Sequence, residues 1–388
     1  MKLKYLYISI VAIILILIIW FSINLISGKS NSNVLNPFAG TVGYNNYSEG
    51  VVSYGLTNSL GILSSSGKRM PYYNMSTYQV VTNAIFGCVN ISSIQVYTPD
   101  SPPNASIYGA GLQLNVNLVI NSTNGHSYTY WLQNTIAFNT SSRKYTIADS
   151  IYNMSSPYNP EISQRTLSGN GDMKKQEIYK NGKFSYMNIT DATYPLYEYD
   201  MNGTIYDKFT NNTHVVVVVY MYFKNYTLPM TYCPVIHINN SGNYPVVNFG
   251  YEMNDYKNFY DNVTFLIPDT SSYLFVTPYK YTPSNNTYYD AEFVFGGGSY
   301  GQNATFTNLN ATDMWLFYYS NGTFVPFPSL YSSGWDTGEH AINLQVSQGS
   351  NYASVTAGAE SLFSNMTLPS SKYNSTEYSN VASWIEGK

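Results

Sequence analysis

The chain has 388 residues and a net charge of −4, and only 10% of its residues are Asp, Glu, Lys or Arg, against a usual ~25%. No basic stripe is present, so nothing supports a nucleic-acid binder that works by neutralising phosphates. The composition suits acid: carboxylates lose most of their charge below about pH 3, and eighteen Lys and Arg then leave little self-repulsion.

Lys2 and Lys4 precede an apolar run from Tyr5 to Ile26, broken only by Ser9, Ser22 and Asn24. About 20 residues suffice to cross the hydrocarbon core. Residues 1–29 therefore read as a signal peptide or, given the length of the run, a signal anchor, with the lysines inside and the rest of the chain outside. Residues 30–70, rich in Ser, Gly and Asn, read as a linker or pro-like segment. Nineteen N-x-S/T sequons run from Asn46 to Asn374, so N-linked glycans are expected on an exported chain.

The ectodomain reads as β throughout. Leu112, Leu114, Val116, Leu118 and Ile120 alternate with Gln113, Asn115 and Asn117, the period of a half-buried strand. Asn124-Gly125 predicts a hairpin turn, and Ser127–Phe138 returns as the partner strand. Asn181-Gly182 and Asn321-Gly322 predict two more hairpins. A candidate break falls at 168–172. VVVVVYMYF, Val215–Phe223, predicts a strand buried on both faces. Around Ala353–Phe363 the period approaches that of a helix. Residues 71–345 form the main region and 346–388 a tail. The fold class is all-β, a β-sandwich or barrel-like ectodomain behind a single N-terminal transmembrane or signal-anchor helix. Cys88 and Cys233 are either one disulfide or two buried thiols.

Chemistry concentrates in YYDAEFVFGGG. Alternation puts Asp290 and Glu292 on one face, about 6.5–7 Å apart at Cα, and Tyr289, Ala291, Phe293 and Phe295 on the other, a core face. Gly296–Gly298 would form a mobile rim to a surface cleft. The plain alternative is a solvated or hydrogen-bonded face. WDTGEH brings Asp336 and Glu339. Its single D-T-G lacks the second loop that a shared-proton aspartic dyad needs. In TYWLQNT, Trp131 and Gln133 share a face, and an amide there could donate to an oxyanion. Asp149 and Glu252 stand behind as further acids. The four histidines lack metal-ligand spacing and would be protonated in acid, so neither a metal nor a cofactor is expected.

Taken together, GCVNISSIQVY (87–97), LQLNVNLVINSTNGHSYTYWLQN (112–134), SGNGD (168–172), YYDAEFVFGGG (288–298) and FYYSNGTFVPFPSLYSSGWDTGEHA (317–341) resemble the thermopsin family. The resemblance implies a secreted or surface endopeptidase acting in hot acid on unfolded or peptide substrates. Leu132-Gln133 and Ala291-Glu292-Phe293 are also similar to short motifs of eqolisin-type glutamic peptidases, β-sandwiches that use a Gln and a Glu. That likeness implies Glu292 as base and Gln133 as oxyanion donor. An alternative pairs Asp290 or Glu292 with Asp336 or Glu339 around one proton. The competing class is a glycosylated envelope, adhesion or filament protein.

Overall fold

A computed structural model of the chain describes residues 51–55, 62–63, 69–70, 79–98, 106–153, 167–172, 175–180, 183–189, 193–196, 199–200, 215–240, 242–276, 290–297, 304–327, 329–332, 341–348, 353–358, 364–367 and 378–387. The segment 1–29, Asp336 and Glu339 lie outside them. Among the described residues no helix is long and apolar enough to cross a membrane.

The strands that matter are β1 (Val51–Gly55), β2 (Ala84–Tyr97), β3 (Gly109–Ser122), β4 (Ser127–Asn139), β5 (Lys144–Asn153), β6 (Leu167–Gly171), β7 (Val215–Tyr220), β8 (Met230–Asn239), β9 (Val246–Met253), β10 (Tyr256–Phe265), β11 (Asp269–Val276), β12 (Asp290–Gly297), β13 (Ala304–Ser320) and β14 (Ala353–Ala357). Among the described residues they belong to two large sheets. The first runs β7-β5-β4-β3-β12-β1, and β11 joins the far half of β3. The second runs β6-β10-β9-β8-β2-β13-β14.

The sheets pack face to face, as the alternation demands. Leu112, Leu114 and Val116 of β3, Leu132 and Ile136 of β4, and Ala291, Phe293 and Phe295 of β12 are buried and look across at the second sheet. Tyr130 meets Phe265 edge-on at 4.7 Å, and Phe295 meets Phe306 at 6.1 Å. One polar clamp crosses the same core. Asn134 of β4 donates through Nδ2 to Val235 O at 2.9 Å and Gly250 O at 2.7 Å, and its Oδ1 accepts from the Tyr260 hydroxyl at 2.8 Å.

The predicted hairpins form. Asn321 and Gly322 both take positive φ, 53° and 85°, as the tight turn that matches strand twist requires. Lys180 faces Lys183 across the Asn181-Gly182 connection. Two expectations fail. β7 ends at Tyr220, and Tyr222 and Phe223 are exposed, so the apolar run is not buried along its whole length. The tail carries strand β14 rather than a helix over 353–357, where the alternation of Ala353 and Val355, both buried against β13, prevails; 359–363 lie outside the described residues. Among the described residues the helix is α1, Ser379–Glu386, with Val381 and Ile385 buried.

Cys88 and Cys233 form a disulfide with Cα atoms 4.2 Å apart. They lie on β2 and β8, antiparallel neighbours paired at Val89–Tyr232.

Candidate active site

The second face of the first sheet points away from the inter-sheet core, yet it is not a solvated surface. Register aligns Ser53, Glu292, Asn115, Gln133 and Ser150 as one rung across β1, β12, β3, β4 and β5. Glu292 is 1% exposed, Asn115 0%, and Gln113 and Gln133 6% each. The expected surface cleft is thus corrected to an enclosed polar row. Trp131, Thr135 and Tyr152, on the same face beside it, are half-buried, with the Trp131 and Tyr152 rings 5.4 Å apart.

Buried amides require partners, and here they find one another. Gln133 Nε2 donates to Gln113 Oε1 at 2.9 Å. Asn115 Nδ2 reaches the same oxygen at 3.3 Å and Glu292 Oε2 at 3.5 Å. Glu292 and Gln133 therefore stand on one face, not in contact, joined through Asn115 and Gln113. Asp290 is described only as a backbone position opposite Gly55. Gly296 and Gly297 are buried ladder residues opposite Gly111 and Ala110, not a mobile rim, and Gly298 lies outside the described residues. The strands approach so closely that a Cβ on Gly111 would sit 2.8 Å from Gly297 O.

A second acidic feature lies between the sheets. Asp149 of β5 and Asp261 of β10 are both 0% exposed and face each other. Burial, and then the charge and hydrogen bond of Asp261, push the Asp149 carboxyl well above the usual range. Two carboxyls can bond only if one keeps a proton. Sequence reasoning held Asp149 in reserve and missed Asp261. A signal existed: Asp149 is in phase with Ile147 and Ile151, and Asp261 with Val263 and Phe265, all buried. The pair resembles an aspartic dyad in chemistry but is closed inside the core, where a peptide backbone cannot reach.

Glu252 has a local job. Its Oε1 accepts the Asp255 N–H across a turn in which Asn254 and Asp255 take φ of 49° and 68°, and burial raises its pKa. His237 is buried, which lowers its pKa. Among the described residues no group of three or more His, Cys, Asp or Glu is placed to hold a metal.

The polar rung and the carboxyl pair both fall within the span of one family. The family model for thermopsin matches residues 41–221 and 188–344. A thermopsin of Sulfolobus acidocaldarius is 31% identical over 315 residues, which is 81% of this chain and 80% of that protein. With a family model that matches most of the chain and a relative of this identity and coverage, the chain belongs to the thermopsin family, and membership implies a peptidase.

Proposed function

We propose that the chain is a secreted or surface-anchored acid endopeptidase that hydrolyses unfolded or peptide substrates at low pH and high temperature. Family membership supports the chemistry, and the low charge supports acid. The apolar run at 5–26 and the sequons support an outward-facing, glycosylated protein tethered by its N-terminal segment.

The observation that carries the proposal is the rung Glu292–Asn115–Gln133. Two strand spacings separate Glu292 from Gln133, about 10 Å at Cα, and the short Asn115 forms the floor between them. That span takes a water and a peptide carbonyl. Glu292 accepts a proton from the water as its oxygen bonds to the carbonyl carbon. Gln133 donates to the developing oxyanion. As the C–N bond breaks, the proton passes from Glu292 to the leaving amine. The half-buried Trp131 and Tyr152, on the same sheet face, are the side from which substrate approaches in this reading.

The test is proteolysis of denatured protein at about pH 2–4, where carboxyl groups titrate. Glu292→Gln is expected to abolish it with the fold intact, and Gln133→Ala to lower turnover by about 10²–10³. Full activity in Glu292→Gln ends this reading. Loss on Asp336→Asn or Glu339→Gln with Gln133→Ala unaffected transfers the chemistry to an acid pair. A wild-type chain without proteolysis favours the envelope or adhesion class.

A further inference from the structure

We propose that Gln113 is a positioning residue whose single carbonyl oxygen sets the amide orientation of both Gln133, the oxyanion donor, and Asn115, which faces the base. The inference rests on the rung reading and deepens it. Gln113 does not stand on the rung. It lies two residues before Asn115 on the same face of β3, 6% exposed.

Its Oε1 receives two donors, Gln133 Nε2 at 2.9 Å and Asn115 Nδ2 at 3.3 Å. A carbonyl oxygen has two lone pairs, so its capacity is filled. Each donor amide is thereby held with its NH2 end toward Gln113. For Asn115 the second N–H then faces Glu292 Oε2, at 3.5 Å. For Gln133 one N–H is committed and the other is held in a fixed direction, available to an oxyanion.

Turning the Gln113 amide over would present N–H to both neighbours. Both would then have to turn their oxygens inward, and Asn115 would aim Oδ1 at the Glu292 carboxylate, which repels it. The sense of the whole chain, from oxyanion donor to base, thus depends on one acceptor that touches neither substrate nor water. Misplacing the oxyanion donor and the amide that faces the base costs catalysis rather than binding.

The experiment uses the full-length chain with a peptide substrate. Gln113→Met keeps the length and removes the acceptor. It is expected to lower kcat by about 10–100-fold with KM within about threefold. Gln113→Glu restores a carbonyl oxygen at the same reach and is expected to recover kcat to within about fivefold of wild type. A residue that only fills space gives a different pattern: Met serves and Glu does not. That pattern, or kcat in Gln113→Met within threefold of wild type, overturns the inference. If Gln113→Met fails to fold, Gln113→Glu decides alone, and a folded, inactive Gln113→Glu chain overturns it. Glu292→Gln run in parallel separates the two levels. Activity lost there but kept in Gln113→Met sinks the inference and leaves the rung reading. Activity kept in Glu292→Gln sinks both.

Discussion

Gln133 and Asn134 are adjacent residues with opposite duties. Gln133 faces the polar row, and Asn134 faces the inter-sheet core, where it binds Val235 O, Gly250 O and the Tyr260 hydroxyl. Strand alternation makes this division unavoidable. Asn134→Leu keeps the volume but leaves two carbonyls of the second sheet without their donor, while Tyr260 keeps Ala148 O at 3.3 Å. The expected loss is about 2–4 kcal/mol, read from urea unfolding at acid pH. Little of this was legible beforehand. A Gln followed by an Asn inside a strand announces only that one of them faces the core. The Glu292 side was more readable, since Ala291, Phe293 and Phe295 declare the core face and leave Glu292 on the other. What that other face meets is a tertiary matter, and so its enclosure came as a correction.

At the scale of the strand, the most informative irregularity is in β10. Phe249 faces Asp261 while Gly250 faces Phe259, so Tyr260 is an extra residue and the pair is bulged there. The bulge lets Tyr260 and Asp261, neighbours in sequence, both be buried. It also explains part of SGNGD. A Cβ on Gly171 would lie 2.1 Å from Tyr260 O, so only glycine lets β6 pass the bulge. Two inward acids follow from this arrangement, and they make stability depend on pH. The Tyr260 phenol interacts with both acids, and its own pKa is raised by burial and by them. The Asp149 carboxyl is raised in the folded state, first by burial and then by Asp261. The folded chain therefore holds its proton more tightly than the unfolded chain. The contribution is complete below the ordinary value of 3.8 and is lost as pH rises through the higher folded value. Denaturation midpoints are expected to fall above about pH 4, with a slope near 1.4 kcal/mol per pH unit for one proton. Asp149→Asn, which removes the titrating carboxyl itself, should flatten that slope. An unchanged slope would show that the pair is not its source. Hairpins and alternating strands were readable from Asn-Gly turns and period two. The bulge was not, because a one-residue excess leaves no mark until the partner strand is known.

Across the whole molecule, the two-sheet architecture was largely legible, because period-two patterns and tight turns are local. The order of strands was not, since β12 lies beside β3 at a distance of some 180 positions along the chain, and β2 lies beside β8 and β13. The pairing of Cys88 with Cys233 was equally undecided until β2 and β8 proved to be neighbours. That bond has a sequence separation of 145, and removing both sulfurs with Cys88→Ala and Cys233→Ala is expected to cost about 2–5 kcal/mol, measured as a lower unfolding midpoint. The same closure has a bearing on self-digestion. The stretch it spans contains β3, β4, β5 and β7, including Gln113, Asn115 and Gln133. A peptidase that nicks a sister copy at any bond between the two cysteines severs the backbone but releases nothing. Such a molecule migrates as one band until thiol is added, and then as two. The ring would let this chain survive its own bite with the amide half of its polar row still docked in place.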